Sequence, residues 1–393
     1  MIEHLHIENL GPIGDADIHF GDLTFFVGPQ ASGKSLALET LKLVIDRDSI
    51  IEMLDKYGYI FGHNTDRILN MYYGNGLAGL WSPSTEVSLD GIPFKRTDIP
   101  KNVQEGRAEE SIFYIPAQRV LSVADGPGKP FMSYNSDTPY VNRAFGETVR
   151  QFIQYGIGRQ TVLFPMNSRL KSHIRSRIDK SIFHGASIVL EEVDMQRKMV
   201  MKVEDMKIPI MSWSAGQKEF MPLLLGIYCL SGPPSKVLRR DPYKYVVIEE
   251  PEMGLHPNAI IDVILQIIEF IQTGYQVIVS THSSVFLEFA WAFNNLKKMT
   301  NVTAKYNALY ELFHVREIPR MKEMLAGVFS KDIHTYYFGK TGQREKSTAR
   351  DITALDVWSD DPIMEEWGGL SSFASRATDI VSQYTADSIL SNE

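Results

Sequence analysis

The chain holds a single cysteine, Cys229, among 393 residues. One thiol can form neither an intrachain disulfide nor a cysteine-based zinc site, so a reducing compartment, the cytoplasm, is the expected location. No N-terminal stretch shows the charged, apolar and small-residue order of a secretory signal. Apolar runs of membrane-spanning length are also missing. Ile260 to Ile271 is broken by Asp262, Gln266 and Glu269, as suits a packed helix, and no membrane partner is expected. There is no basic excess either: the formal net charge of -8 excludes a globally basic nucleic-acid binder and leaves a local patch as the route to nucleic acid. Internal repeats, low-complexity tracts and sustained heptads are absent, and the Gly and Pro scattered between Lys34 and Ser214 exclude long coiled-coil arms. What remains is 44% hydrophobic and 22% charged, enough to bury a sizeable core as one large domain with insertions or as two domains.

Period-two alternation opens the chain. Leu5 and Ile7, then Ala16, Ile18 and Phe20, then Leu23, Phe25 and Val27 predict three strands, with turns at Gly11-Pro12, Gly14-Asp15 and Gly21-Asp22. From Ser35 to Arg47 the period changes to a helix with Leu36, Leu38, Leu41, Val44 and Ile45 roughly on one side. Residues 50–110 mix aromatics, Gly and Pro without a firm period and read as an insertion. Ile112 to Ile115 is a short strand stopped by Pro116. A second insertion, residues 120–205, starts with a Gly- and Pro-rich loop from Ala124 to Pro130. It continues with helices over Val141 to Ile157 and Met166 to Ile182, and a hairpin of Ser187 to Val193 with Lys198 to Val203. Strand, helix and strand then follow at Tyr245 to Glu249, Asn258 to Gln272 and Val277 to Ser280, which indicates an α/β sheet with parallel strands. The expected division is a head over residues 1–290 and a mainly helical C-terminal extension over 291–393, with a polar break from Lys340 to Ser347.

Between the third strand and the first helix, Gly28-Pro29-Gln30-Ala31-Ser32-Gly33-Lys34-Ser35 matches the phosphate loop G-x-x-x-x-G-K-[ST] in the context it requires. Its glycines let the backbone curl so that successive amides face phosphate oxygens, and the helix N-terminus adds its positive end. ATP and Mg²⁺ are therefore the expected cofactors, with Lys34 reaching the outer phosphates and the Ser35 hydroxyl on the metal. The apolar strand Tyr245 to Ile248 delivers Glu249 and Glu250 at its C-terminal end, the edge where chemistry gathers in open α/β sheets. Nucleotide hydrolysis needs one carboxylate for the Mg²⁺ shell and another for the attacking water. Successive strand residues point to opposite sides, so Glu249 is assigned to the metal and Glu250 to the water.

With Ser214-Ala215-Gly216-Gln217-Lys218 before an apolar helix, these motifs resemble, in order, those of the ABC ATPase family, in its SMC-like, RecF-like and OLD-like branch. The resemblance spans residues 28–284. It implies an α/β P-loop NTPase fold with ABC-type head architecture: a mixed sheet, helical insertions and the helical extension. It also implies that Ser214, Ala215, Gly216 and Gln217 meet the γ-phosphate held by the other subunit, so that the working unit is a homodimer or a higher homo-oligomer. Glu250-Pro251-Glu252-Met253-Gly254-Leu255-His256-Pro257 looks like the loop that crosses between subunits. His282, in Ser280-Thr281-His282-Ser283, looks like the switch histidine, a catalytic group beside Glu250 and Lys34. Gln118, in Ile115-Pro116-Ala117-Gln118-Arg119, looks like the glutamine-loop residue on Mg²⁺ or its water, and Arg119 is either a phosphate contact or a structural ion-pair partner. The tail carries no Asp-x-Asp after a buried strand of the kind a Toprim nuclease uses. The implied activity is ATP hydrolysis by a dimer that switches a separate effector, a nuclease or toxin, in bacterial anti-phage defence. The alternatives are a DNA-binding maintenance ATPase and a transporter ATPase subunit. Three features stay open: Pro222 inside the helix after Ser214, which calls for a kink or a short first turn; the basic run Arg169, Lys171, Arg175, Arg177 and Lys180, a solvated surface or a phosphate contact; and Glu365 to Leu370 around Trp367, intramolecular packing or a docking element.

Overall fold

The opening alternation becomes an antiparallel hairpin, β1 (His4–Leu10) against β2 (Ile13–His19), followed by β3 (Leu23–Val27). The structure is a computed structural model that describes residues 1–371 apart from 102, 104–107, 124–127, 158–159, 194–195, 234–241, 316–318, 341 and 343–344, and also residue 377. The predicted loop at 124–130 therefore falls partly outside the described residues. Helix α1 (Lys34–Lys56) extends well beyond the expected end at Arg47. It passes through a non-helical Asp46, whose buried carboxylate is drawn to Lys42 Nζ at 2.9 Å and to the N–H groups of Ser111 at 2.7 Å and Ile112 at 3.0 Å. A buried acid that is fully partnered in this way fixes the helix to the next strand rather than ending it.

The first insertion supplies α2 (Thr65–Tyr73), β4 (Trp81–Leu89) and β5 (Ile92–Pro93), and β4 pairs with β1. The strand β6 (Ile112–Ile115) follows as predicted. In the second insertion α3 (Tyr140–Gln151) runs on in a π-helical turn to Gly156, close to the expected extent. A short strand β7 (Val162–Phe164) and the cis Phe164-Pro165 bond follow, and the helix expected from Met166 starts later, as α4 (Ser172–Ile178), running on in a π-helical turn to Phe183. The predicted hairpin is β8 (Ser187–Val193) with β9 (Gln196–Val203), and β10 (Met206–Pro209) adds to it, giving a four-stranded antiparallel sheet ordered β10-β9-β8-β7.

Helix α5 (Ala215–Leu230) runs through Pro222 as one element. The order continues with β11 (Tyr245–Glu249), α6 (Pro257–Gln272), β12 (Gln276–Ser280), α7 (Ser284–Lys297), α8 (Val302–Leu312), α9 (Pro319–Leu325), β13 (Ile333–Gly339), β14 (Ser347–Asp351) and α10 (Pro362–Glu365). Ten strands form the main sheet in the order β5-β4-β1-β2-β14-β13-β3-β12-β11-β6. Its centre, β13-β3-β12-β11-β6, is parallel, while β4 and β2 each run antiparallel to β1 between them. The mixed α/β sheet follows the predicted fold class, and the expected mainly helical extension from residue 291 also contributes two strands, β13 and β14, which enter the main sheet between β3 and β2. Apolar residues on every position of β13 but Thr335 and His334 give neither a period-two alternation nor a helical period, which is what a two-sided buried strand looks like.

Successive residues of the central strands feed opposite cores. Leu23, Phe25, Val27, Val246 and Ile248 pack with α5, α6 and α7, while Phe26, Tyr245 and Val247 pack with α1 and α2. A sheet buried on both faces places its strand ends, and the loops that leave them, along one edge.

Candidate nucleotide site

The loop after β3 turns under the C-terminal edge of the sheet. Gly28 has φ of 136°, and a Cβ there would lie 2.1 Å from the Phe338 carbonyl oxygen of β13, so only glycine fits between loop and sheet. Ser347 at the start of β14 shares its hydroxyl between the Ser32 carbonyl at 2.5 Å and the Pro12 carbonyl at 3.0 Å. The C-terminal strands thus brace the loop of residues 28–35 from behind. Lys34 leads α1 with its ammonium folded into the loop, donating to the carbonyls of Gly28 and Pro29, both at 2.8 Å, and to Ser32 Oγ at 3.3 Å. Burial pulls its pKa down to about 8, against the opposing pull of Glu250, Glu249 and Glu252.

The end of β11 brings the two acids to the same edge and gives them different surroundings. Glu249 is buried, and burial raises its pKa, although the nearby Ser35 hydroxyl and the Ala117 N–H oppose the rise. Ala117 donates to Oε2 at 3.1 Å, while the buried Oε1 has no hydrogen-bond partner. An orphaned carboxylate oxygen beside the Ser35 side chain suits a hard cation, which would take that oxygen and offset the cost of burying the charge. Glu250 leaves the strand with φ of 42°, left-handed for a residue with a side chain. Its N–H donates to the Ser280 carbonyl at 2.8 Å. His282 Nε2 lies 3.5 Å from Glu250 Oε1, and this hydrogen-bonding contact, aided by the charges of His282, Lys34 and Arg119, keeps Glu250 below the usual carboxylate range despite burial.

Two residues hold this pair through contacts that the sequence did not reveal. Arg119 is buried and donates to the main-chain carbonyls of Glu249 at 2.9 Å, Glu250 at 3.1 Å and Glu219 at 3.2 Å. Here it clamps the backbone of the acid pair. Glu252 accepts the Thr281 hydroxyl at 2.8 Å and the His282 N–H at 2.6 Å through one oxygen, joining the loop after β11 to the loop after β12. An acid two residues beyond a pair carries no periodic signal, and only the parallel pairing of β11 with β12 brings it there.

The remaining expected residues are arranged differently. Gln118 is exposed, next to the Ala117 amide that reaches Glu249. Ser214 caps α5: its hydroxyl accepts the Gln217 N–H at 3.2 Å, and the Gln217 side chain accepts the Ser214 N–H at 3.2 Å. Among the described residues no hydrogen bond or ion pair joins residues 214–217 to the phosphate loop of the same chain. Instead Gly216 packs on the loop after the acid pair, where a Cβ would stand 2.5 Å from the Gly254 carbonyl oxygen. The basic run is largely used internally: Arg169 donates to the Ser231 carbonyl, Lys171 pairs with Glu269, Arg175 donates to the Leu170 carbonyl and Arg177 pairs with Asp262. Trp367 is buried, with Nε1 donating to the Leu355 carbonyl at 3.1 Å, so that stretch packs within the chain. Among the described residues no helix is long and apolar enough to cross a membrane.

Residues 159–287 match the AAA ATPase domain family, a span that contains the Ser214 loop, the acid pair and His282. No curated protein matches the chain. Among solved structures it is similar to an SMC head bound to the C-winged helix domain of ScpA, with 13% identity, TM-score 0.42, and 89% of this chain and 97% of that one covered. It is also similar to the SMC head domain from Thermotoga maritima, at 16% identity, TM-score 0.33, covering 73% and 91%. A third is a dimeric bacterial ABC transporter cassette, at 12% identity, TM-score 0.31, covering 72% and 90%. The family match covers the acid pair and His282, which the parallel centre of the mixed α/β sheet gathers beside Lys34.

Proposed function

We propose that this head hydrolyses ATP in a site completed by a second copy of the chain, and that the closed dimer switches a separate effector protein in bacterial anti-phage defence. The carrying observation is the division of the motifs. Lys34, Glu249, Glu250 and His282 share one sheet edge, whereas the capped helix start at Ser214 is exposed and, among the described residues, has no hydrogen bond or ion pair to its own phosphate loop. A helix N-terminus favours an anion, and in this reading its anion is the γ-phosphate held by the twin subunit.

In that site Lys34 exchanges its carbonyl partners for the outer phosphates. Mg²⁺ would be held by Ser35, Glu249 and the Gln118 side chain, and would neutralise charge on the bridging phosphate oxygens. Glu250 stays ionised because His282 and Lys34 favour its charge, so it can accept a proton from the attacking water or orient it. His282 holds that carboxylate and is positioned to sense the γ-phosphate. The effector part of the reading rests on the family resemblance.

Phosphate release and light scattering with ATP test this reading. Lys34→Ala is expected to lose ATP binding. Glu250→Gln should bind ATP but turn over at least about 100-fold slower and accumulate as a dimer. Unchanged phosphate release in both variants would refute the mechanism, and a Glu250→Gln protein that stays monomeric with ATP would refute the composite site. Coexpression with the product of the adjacent gene tests the effector: complex formation that differs between ATP-locked and nucleotide-free forms is expected.

A further inference from the structure

On the outer face of β1 and β2, away from the nucleotide edge, every outward position carries a metal-ligating side chain. His4 pairs with His19, His6 with Asp17 and Glu8 with Asp15 across the strands. The alternate residues Leu5, Ile7, Ala16 and Ile18 are completely buried, so the hairpin is pinned from below and its outward side chains are held in register. The start of β1 is fixed as well: Asp90 Oδ1 accepts the N–H groups of Glu3 and His4, both at 2.8 Å.

From this arrangement we infer a binding site for a divalent transition-metal ion, with zinc as the fitting probe, formed by His4, Asp17 and His19. One donor atom from each lies within 4.8 Å of the others. His4 Nε2 is hydrogen-bonded to Asp17 Oδ1, and the His4 and His19 rings stack with centroids 4.4 Å apart and planes at 16°. Around a tetrahedral ion with bonds of about 2.0–2.1 Å the donors stand about 3.4 Å apart, so His4 and Asp17 would open slightly from their direct contact to admit the ion, an adjustment within reach of side-chain rotation at partly exposed positions. Two imidazoles and one carboxylate favour zinc and its neighbours over magnesium or calcium, which take all-oxygen shells. The fourth position is left to water or to a group from a partner.

Two further details match such a site. His334 places Nδ1 2.8 Å from the His19 carbonyl, bringing β13 against the strand end that carries the ligand. The set His6, Glu8 and Asp15 repeats the motif one step along the hairpin with one imidazole fewer, with His6 Nε2 3.3 Å from Asp15 and 3.5 Å from Glu8. Fewer imidazoles make it the weaker of the two for zinc. A bound ion would tie β1 to β2 at the open end of the hairpin, opposite the Gly11-Pro12 turn.

The test uses the full chain without a histidine tag, stripped with a chelator. Zn²⁺ is followed by calorimetry and Co²⁺ by visible absorption, without nucleotide. The expected result is one tight ion per chain with the intense visible bands of tetrahedral Co²⁺. His19→Ala and Asp17→Asn should weaken binding by more than about 100-fold, beyond the usual effect of residues outside the ligand set. His6→Ala should leave the tight ion in place. Circular dichroism confirms that each variant is folded, which these surface positions allow. The assignment is overturned by no saturable binding to the wild type, by unchanged affinity in His19→Ala and Asp17→Asn, or by a loss that follows His6→Ala alone.

Discussion

Glu252 accepts the backbone N–H of His282 at 2.6 Å, so the histidine facing Glu250 is held in place by an acid from the same loop as its partner. Removing that acceptor leaves the His282 N–H and the Thr281 hydroxyl without their partner. Glu252→Ala is expected to cost about 1–3 kcal/mol in urea unfolding and to slow phosphate release while ATP titrations stay near wild type. Glu252→Gln, which keeps an acceptor oxygen, should recover most of the loss. Wild-type turnover in Glu252→Ala would show that His282 needs no such support.

Arg119 provides a second check on the same loops. Its guanidinium satisfies three main-chain carbonyls that no lysine or aliphatic chain could reach together. Both Arg119→Met and Arg119→Lys should lower stability by about 2 kcal/mol or more, with turnover falling further than ATP affinity. The measurements are urea unfolding and phosphate release on the same samples.

Gly216 allows the Ser214 helix start to lie directly on Gly254. In Gly216→Ala the new methyl would meet a backbone oxygen at 2.5 Å, and neither partner is a flexible side chain. ATP should still bind to the isolated subunit, because Lys34 is untouched. In light scattering, the ATP-driven dimer should be lost, and phosphate release should fall with it. A dimer as strong as wild type would mean that this loop does not meet the twin subunit.

Acid stability is sensitive to Glu147. Burial would raise its pKa, but hydrogen bonds from Arg150 at 3.0 Å, Gln151 at 2.9 Å and the Phe131 N–H at 3.2 Å outweigh burial and hold it at about 2. A depressed carboxylate stabilises the fold fully above its ordinary value of 4.5, and that contribution is lost as the pH falls from there toward 2. Glu147→Gln should flatten this part of the curve, by about 1–2 kcal/mol once solvent screening is allowed for. Urea unfolding at several pH values between 6 and 3 measures it; parallel curves for variant and wild type would rule the contribution out.

Local chemistry made much of the site legible. The glycine loop, the acid pair on β11 and the histidine after β12 are each marked by a strand ending in a residue type that the chemistry demands, and all meet at one edge. Arg119 and Glu252 were not legible in role, because each works through main-chain atoms of residues far away or across a strand pairing. The helix expected from Met166 starts only at Ser172, because Asn167 and Ser168, small polar residues that favour turns, lie in a turn there. The C-terminal strands were overlooked because β13 is buried on both faces and shows no alternation.

The position of β13 and β14 also governs when this molecule can fold. The hairpin of β1 and β2 and the parallel block from β3 to β6 are neighbours in sequence but share no strand pairing; β14 and β13 bridge them. A growing chain on the ribosome therefore holds two unjoined half-sheets, with exposed edges, until residues 333–351 emerge. Assembly of the phosphate loop against its brace consequently waits for residues 333–351, and a chain cut short before β13 would leave the loop of residues 28–35 unsupported.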